Sequence, residues 1–120
     1  MSIEELAQNF TKAVAEDNTE AYQSYWSDDI VSLEPQQDSP MGRVEGRAAL
    51  LEKHAWWEDN AEMHDVTTEG PYIFGDQFAI RYTMDVTFEG ERSQMAEVGV
   101  YTVKDDKIVE ERFFYGHAGD

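Results

Sequence analysis

Two patterns of apolar and polar residues divide the chain near residue 60. Before that point, apolar residues recur three or four positions apart, which is the period of an amphipathic helix. Ser2 followed by Glu5 is a capping-box pattern, and it predicts a first helix over residues 3–16. Residues 17–28 and 47–59 show the same spacing. The first half of the chain is therefore predicted to form three helices.

From Ala61 onward, apolar and polar residues alternate, as they do in strands that bury one face. Glycine and aspartate residues interrupt the alternation at turns. The alternation predicts four longer strands at residues 62–69, 77–88, 94–104 and 107–115, with an edge piece at 72–74. Earlier in the chain, residues 30–34 are predicted to form a short strand that stops at a proline. Residues 36–46 are predicted to form a loop, and residues 116–120 a frayed tail.

Helices followed by a long meander of strands are typical of an α+β domain. We expect three N-terminal helices to pack in a curved, mostly antiparallel sheet. The stretch 77–88 shows which face points inward, because one set of alternating residues is apolar: Phe78, Ile80, Tyr82, Met84, Val86 and Phe88. A curved sheet closed by helices leaves a cone whose interior can be partly empty.

Composition and charge narrow the classes of function. The chain has 120 residues, which fits one domain, and its net charge of −17 argues against nucleic acid and anionic membranes as partners. It contains no cysteine, so a thiolate nucleophile, a disulfide and a cysteine-based zinc site are excluded. No apolar run approaches membrane-spanning length and the N-terminus lacks a signal pattern, so we expect a cytoplasmic protein.

Two glutamates, Glu97 and Glu111, stand in apolar rows of the last hairpin. The two predicted strand faces are Met95, Glu97, Gly99, Tyr101 and Val103, and Val109, Glu111, Phe113 and Tyr115. Burying an unpaired carboxylate is costly, so each glutamate needs a partner, a proton or a function. The structural alternatives are pairing with Arg81, Arg112 or a tyrosine hydroxyl, and a register slip that turns Glu110 inward instead.

Five segments of the chain carry a resemblance to a known family. They are Ser32–Pro35, Val44–Arg47, Met84–Thr87, Val100–Asp105 and Phe113–Tyr115. With the order helix, helix, strand, helix and meander, the chain resembles the NTF2-like superfamily and, within it, the SnoaL-like group. The resemblance implies a single SnoaL-like domain over residues 1–120, a cone-shaped pocket without a metal or cofactor, and a homodimer formed through the outer face of the sheet. The superfamily includes polyketide cyclases, ketosteroid isomerases, epoxide hydrolases and dehydratases, so the resemblance specifies no single reaction.

The ketosteroid isomerase pattern can be compared with this chain at three positions. The general base of that pattern is an acid followed by proline after the first strand, and Glu34 matches it. The two oxyanion donors of the pattern fall at Phe10 and Gly99, neither of which has a donor side chain. The resemblance therefore implies a filled base position but argues against a steroid isomerase, which needs those donors to stabilise the enolate.

We expect Glu34, His54, Glu97 and Glu111 to converge on the pocket as acid–base residues. Glu34 or Glu97 would be the base, and His54 the acid or an orienting group. An apolar cone would raise the pKa of a carboxyl, and neighbouring carboxylates would raise the pKa of the imidazole. The alternative for His54 is a histidine in the core with its hydrogen bonds satisfied, or one on the helix surface. The alternative for Glu34 is a side chain that faces solvent. The predicted pocket wall consists of Phe10, Trp26, Trp57, Tyr82, Met84, Tyr101 and Phe113.

The remaining features bear on partners. His64 is predicted to be a surface or dimer-contact residue and not a metal ligand. The outer row Ala96, Val98 and Val100 is too apolar for solvent and predicts the dimer interface. The sequence thus favours a cofactor-independent acid–base enzyme acting on a small carbonyl or polyketide-like compound. The alternative is a non-catalytic module that binds a small apolar molecule, or an accessory dimeric subunit.

Overall fold

A six-stranded sheet organises the computed structural model, which describes residues 1–35 and 41–117. Its elements are α1 (Ile3–Ala15), α2 (Thr19–Gln23), β1 (Trp26–Leu33), β2 (Arg43–Glu45), α3 (Arg47–Asn60), β3 (Ala61–Phe74), β4 (Gln77–Phe88), β5 (Glu91–Lys104) and β6 (Lys107–His117). The strands lie in the order β2-β1-β6-β5-β4-β3. The pair β1–β6 is parallel and the other pairs are antiparallel. The predicted α+β cone, three helices in a curved and mostly antiparallel sheet, is confirmed.

Side-chain caps fix where the first two helices begin. The Ser2 hydroxyl accepts a hydrogen bond from the backbone N–H of Glu5 at 3.1 Å, as the capping-box pattern predicts. The Asn18 side chain caps α2 in the same way. No helix among the described residues is long and apolar enough to cross a membrane.

The second helix is shorter than predicted, and the prediction that it reaches residue 28 is wrong. It ends at Gln23, and Trp26 already belongs to β1. The reason is pairing with a distant strand: the backbone N–H of Ile108 donates to the carbonyl of Tyr25 at 2.7 Å, and Trp26 is the register partner of Ile108. Sheet pairing therefore overrides the local helical spacing.

Three other predicted boundaries need correction. Part of the predicted loop 36–46 is a strand, because β2 pairs with β1, while residues 36–40 lie outside the described part of the chain. The predicted strand at 62–69 and edge piece at 72–74 are one strand, β3, with an irregular register between Glu69 and Tyr72. The predicted tail is partly wrong because β6 continues to His117, and residues 118–120 lie outside the described part.

The concave face of the sheet forms the core together with the helices. The inner row of β4 is buried as predicted from Phe78 to Val86, with alternate side chains at most 7% exposed. Phe88, the last residue of that row, is partly buried and stacks on Trp57 with ring centroids 5.4 Å apart. The helices contribute apolar residues that cover this face: Leu6, Ala7 and Phe10 from α1 and Leu50 from α3.

An irregularity at the start of β6 changes which residues face inward. Val103 pairs with Ile108 and Thr102 pairs with Glu110, so Val109 has no register partner on β5. Ile108 is therefore fully buried in the place predicted for Val109. Beyond this bulge the predicted alternation holds, and Glu111 faces inward with 3% exposure.

Candidate functional site

A cavity lies between the concave face of the sheet and the helices, and it has two adjoining lobes. One lobe, of about 350 Å³, contains Lys53 and Glu34 in its wall and is called the lysine lobe. The other, of about 590 Å³, contains Tyr82 and Tyr101 and is called the tyrosine lobe. The wall that both lobes share consists of His54, Trp57, Met84, Glu97, Glu111 and Phe113.

The predicted site residues all lie in this cavity wall. Glu34, His54, Glu97 and Glu111 line the lysine lobe. The seven predicted wall residues line one lobe or both: Phe10, Trp26, Trp57, Tyr82, Met84, Tyr101 and Phe113. His64 is exposed at the edge of the tyrosine lobe, where its Nε2 lies 2.8 Å from the Thr87 hydroxyl. The structure thus brings the four acid–base candidates together, and their catalytic roles stay predictions.

A chain of hydrogen bonds around the lysine lobe connects α3 with β1, with Glu34 directly after β1, and with β6. The Lys53 ammonium lies 2.9 Å from Oε1 of Glu34 and donates to the Ser32 hydroxyl at 2.9 Å. The Ser32 hydroxyl in turn donates to Oε2 of Glu111 at 2.7 Å. The Tyr115 hydroxyl donates to Oε2 of Glu34. Both oxygens of Glu34 are therefore engaged, and its carboxylate does not face solvent at a strand end.

The local sequence places these groups. Ser32 and Glu111 are direct register partners in the parallel pair β1–β6. Lys53 lies on α3 one turn after Leu50. It therefore shares the helix face of Leu50, His54 and Trp57, and the four positions have the spacing i, i+3, i+4, i+7. Lys53 and Ser32 belong to the hydrogen-bonded cluster of this candidate site, and sequence reasoning missed both. This spacing was the signal for Lys53, because a lone cation on the inward face of a helix implies an acidic partner.

Both inward-facing carboxyls of the last hairpin have raised pKa values. Burial raises the pKa of Glu97 to about 7, and the nearby carboxylates of Glu34 and Glu111 add to the effect while Lys53 opposes it. Burial also raises the pKa of Glu111 to about 7, although the Ser32 hydrogen bond and Lys53 lower it in part. The expected direction is confirmed for both groups. Each can therefore exchange a proton near neutral pH.

Glu97 and Glu111 differ in how they are held. Glu111 accepts the hydrogen bond from Ser32 described above. No hydrogen bond to the Glu97 carboxyl is formed by any residue in 1–35 or 41–117. Neither of the predicted arginine partners takes part, since Arg81 pairs with Glu69 at 3.4 Å on the outer side. Glu97 is the carboxyl that a ligand in the cavity can reach without breaking an existing hydrogen bond.

The pKa of His54 is lowered, whereas the expectation was a raised pKa. Burial and, to a smaller extent, the neighbouring Lys53 ammonium lower this pKa to about 4. The imidazole packs among aromatic rings, with centroids 5.0 Å from Trp26 and 6.1 Å from Tyr22. Near neutral pH His54 is therefore an uncharged ring that can donate one hydrogen bond and accept another. The expectation of a carboxylate-raised imidazole pKa is wrong because burial has the largest effect on His54, and the charge that acts on it is the Lys53 ammonium.

The sheet register sets tyrosines opposite both raised carboxyls. Tyr82 and Tyr115 flank Glu97 as its direct partners on β4 and β6, and Tyr101 is opposite Glu111. Side chains directly opposite on one face of an antiparallel pair have Cβ atoms roughly 5 Å apart. The Tyr82 and Tyr101 hydroxyls are 2.6 Å from each other and both side chains are buried. Burial raises the pKa of both phenols, so both remain protonated at neutral pH.

These features define a class of protein before any particular family. A single curved sheet closed by three N-terminal helices around a lined cavity is the NTF2-like cone, and solved structures with this fold superpose on the chain. An NTF2-like protein of unknown function from Burkholderia pseudomallei shares 16% identity over 98% of this chain and 94% of its own, with a TM-score of 0.80. TerC, co-crystallized with polyporic acid, shares 18% identity over 93% of this chain and 89% of its own, with a TM-score of 0.76. At these identities the likeness concerns the fold.

The chain belongs to the SnoaL-like domain family, whose model matches residues 1–115. A protein of solved structure from Mesorhizobium loti shares 45% identity with this chain. It is provisionally named a SnoaL-like polyketide cyclase, with carbohydrate phosphatase given in brackets as a second description. That similarity covers 96% of this chain and all of the other, with a TM-score of 0.91. No curated protein matches the chain.

Proposed function

We propose that this protein is a cofactor-independent enzyme that moves a proton on a small, uncharged and largely apolar carbonyl compound. The observation that carries the proposal is the carboxyl of Glu97. It lies in the wall shared by both lobes, its pKa is about 7, and no hydrogen bond from the described residues holds it. A general base works best when its pKa lies near the working pH.

In this proposal the four candidates have different roles. Glu97 takes the proton from a carbon next to the carbonyl group and later returns it. Glu34 is engaged by Lys53 and Tyr115, so it holds the lysine in place and is not the base. Glu111 is anchored by Ser32 and raises the pKa of Glu97 by its proximity. The uncharged His54 orients the substrate by hydrogen bonding, since its lowered pKa makes it a poor acid at neutral pH.

The charge and the surface of the cavity support an uncharged, apolar substrate. Three carboxyl groups and one ammonium line the lysine lobe, so the balance of charge disfavours an anion. The shared wall adds the side chains of Trp57, Met84 and Phe113, which offer apolar contact area on both sides of Glu97. The provisional name of the M. loti relative favours polyketide-like compounds among the candidates.

A substrate screen with two matched variants tests the proposal. Ketones, epoxides and polyketide-like compounds are assayed for turnover with the wild-type protein, Glu97→Gln and Glu91→Gln. Glu91 lies exposed on the same strand, so its variant controls for the loss of one negative charge. We expect Glu97→Gln to reduce turnover by roughly 10²- to 10⁴-fold, the usual contribution of a general base. The control should retain wild-type turnover.

The screen also separates the alternative function. Binding of compounds from the screen without any turnover would favour the non-catalytic ligand-binding or accessory module. Wild-type turnover in Glu97→Gln would refute the assignment of the base. Turnover that rises with pH through about 7 and loses this rise in Glu97→Gln would support it.

A homodimer through the outer face of the sheet is the second part of the proposal. On that face Phe114 is 50% exposed and is the register partner of the partly buried Val98. Val100 continues the apolar row on β5, whereas Ala96 is already buried within the chain at 6% exposure. Covering this row would remove apolar surface from water, which favours association. A monomer by sedimentation at micromolar concentration, with Phe114→Asp as the comparison, would count against it.

A further inference from the structure

The tyrosine lobe contains a pair of hydroxyls that proton transfer by Glu97 does not use. The hydroxyls of Tyr82 and Tyr101 lie 2.6 Å apart, and the two side chains are 5% and 2% exposed. Each hydroxyl has one proton, and their mutual hydrogen bond uses only one of the two. Within residues 1–35 and 41–117 neither hydroxyl has another hydrogen-bond partner. The pair therefore keeps one buried O–H donor that lacks an acceptor.

Gly99 makes room for this pair. A Cβ atom at Gly99 would lie 2.7 Å from the Tyr101 hydroxyl oxygen and 3.0 Å from its ring. Tyr101 follows Gly99 on the same strand face, so its side chain leans back over the glycine and brings the hydroxyl toward Glu97. Any side chain at position 99 would displace that hydroxyl. The phenol of Tyr101 thus fills the space that a side chain at position 99 would take.

A second donor without an acceptor lies in the wall of the same lobe. The indole Nε1 of Trp26 is buried and has no hydrogen-bond partner among the described residues. Native proteins satisfy nearly all buried polar groups, so an unpaired donor requires an explanation. Two such donors in the wall of one lobe match a ligand whose inner end has acceptor oxygens.

The position of Glu97 relates the hydroxyl pair to the proposed chemistry. Tyr82 is the direct register partner of Glu97, and Gly99 is two residues from Glu97 on the same face. Two residues of a strand span roughly 7 Å. The hydroxyl over Gly99 and the side chain of Glu97 therefore start from neighbouring positions on one face, where one small carbonyl compound can contact both.

We propose that the Tyr82–Tyr101 hydroxyl pair binds the carbonyl oxygen of the substrate and stabilises the negative charge that develops on it. This inference rests on the proposed function. In the step, the C–H bond next to the carbonyl breaks and its proton goes to the Glu97 carboxylate. The electron pair of that bond forms a carbon–carbon double bond, and the carbonyl π pair moves to the oxygen. The free O–H group of the pair donates to this oxygen, and the proton on Glu97 later returns to carbon.

The protonation of the two phenols agrees with this role. Burial is the main cause that raises the pKa of both tyrosines, and the Glu97 and Glu111 carboxylates raise both further. The phenols therefore remain donors throughout the neutral pH range. A donor aimed at the site of developing charge in a water-poor cavity stabilises that charge more than the same donor does in water.

Binding of 4-nitrophenol tests the inference without any substrate turnover, because its ionised oxygen imitates the charged oxygen of the intermediate. At pH 6, Glu97 and Glu111 are mostly protonated, as Glu97 is after proton transfer. Dissociation constants are measured by absorbance for the wild-type protein, Tyr82→Phe, Tyr101→Phe, Gly99→Ala and Tyr72→Phe. Tyr72 is half-exposed on β3 and lines neither lobe, so its variant is the control.

We expect the wild-type protein to bind 4-nitrophenol in its yellow ionised form. Tyr82→Phe and Tyr101→Phe should weaken binding roughly ten- to hundredfold, as the loss of a hydrogen bond to a charged acceptor does. Gly99→Ala should weaken it similarly by displacing the Tyr101 hydroxyl while keeping both phenols. The two changes alter volume in opposite directions, so agreement between them cannot come from the size of the lobe. Thermal unfolding of each variant confirms that the compared proteins are folded.

The outcomes distinguish this inference from the proposed function. Absence of 4-nitrophenol binding to the wild-type protein, or equal affinities in the tyrosine variants and the control, would overturn the oxygen-binding role. Dependence of binding on both tyrosines supports it. If that dependence holds while Glu97→Gln retains full turnover, the oxygen site stands and the assignment of the base fails.

Discussion

The ammonium nitrogen of Lys53 lies 2.9 Å from Oε1 of Glu34, and the two side chains are only 13% and 16% exposed. Removal of one partner from such a pair leaves the other charge in a poorly solvated place, which costs much more than loss of a surface ion pair. Lys53 also lowers the pKa of Glu97 and Glu111. One side chain therefore affects both the stability of the cavity wall and the proton affinity of its carboxyls.

Replacing Lys53 by methionine should destabilise the protein and shift its proton affinity. We expect a loss of roughly 3 kcal/mol in the free energy of unfolding at pH 8, because Glu34 is left unpaired. The matched control is Arg43→Met, since Arg43 forms an exposed pair with Glu45 at 2.8 Å and should contribute about 1 kcal/mol or less. Urea unfolding measures both. Equal losses in the two variants would contradict the proposed importance of the lysine pair.

The same substitution should move the pH dependence of activity. Without the ammonium, the pKa values of Glu97 and Glu111 should rise above their present values of about 7. Carbon-13 NMR of the glutamate carboxyls measures these values directly and needs no substrate. An unchanged titration of both carboxyls in Lys53→Met would show that the lysine does not tune them.

Glu111 should make the protein less stable as the pH rises. Its folded-state pKa of about 7 exceeds its ordinary value of 4.5, so the folded state binds the proton more tightly than the unfolded state. The contribution to stability is fully present below pH 4.5 and is lost as the pH rises through about 7. The loss is up to about 3 kcal/mol, since each pKa unit corresponds to about 1.4 kcal/mol. Glu111→Gln should remove this part of the pH dependence, as measured by urea unfolding from pH 4.5 to 8.

The neighbouring Glu110→Gln is the control for that measurement, because Glu110 lies on the other face of the same strand. It should follow the wild-type profile. A wild-type profile in Glu111→Gln would mean that the buried carboxyl has the same proton affinity in the folded and unfolded states.

His54 should have the opposite effect at acid pH. Its folded-state pKa of about 4 lies below the ordinary 6.5, so the folded state binds the proton less tightly than the unfolded state. Its contribution to stability is present above pH 6.5 and is lost as the pH falls through about 4. His54→Gln should reduce the loss of stability between pH 6.5 and 4, relative to His64→Gln as the exposed control. Equal slopes in the two variants would contradict a buried, uncharged His54.

Two adjacent leucines on α3 test the packing of that helix. Leu50 is fully buried and Leu51 is 40% exposed. Leu50→Ala should reduce the free energy of unfolding by about 2–5 kcal/mol, because it leaves a cavity in the core. Leu51→Ala should reduce it by less than about 1 kcal/mol. Chemical denaturation measures both, and a reversed order would mean that α3 is rotated about its axis.

The fold followed from patterns that act locally. The inner row of β4 alternates without interruption from Phe78 to Val86, and an alternating row of that length fits only a half-buried strand. The predicted end of α2 was wrong for a nonlocal reason. The pairing of Trp26 with Ile108, which ends the helix early, joins residues far apart in sequence. No local pattern contains that information.

The site was predictable in part for the same reason. Alternation placed Glu97 and Glu111 inward, and for Glu111 the prediction succeeded because the bulge at Val109 precedes it. The predicted sign of the His54 pKa shift was wrong because burial among aromatic rings is the main cause of the shift, and helical spacing alone does not define how deeply a side chain is buried. The contact of Tyr101 with Gly99 depends on the direction of one side chain, and register alone does not define it.

The parallel pairing of β1 with β6 has a consequence for how the protein is made. Ser32 and Glu111 are 79 residues apart in the chain, yet their hydrogen bond lies at the centre of the acid–base cluster. During translation, Glu34, Lys53 and His54 leave the ribosome long before the strand that completes their surroundings. Until β6 arrives, the apolar inner faces of β4 and β5 and the lone lysine of α3 lack their final neighbours. The nascent chain therefore passes through a stage in which chaperone binding or aggregation competes with completion of the cavity.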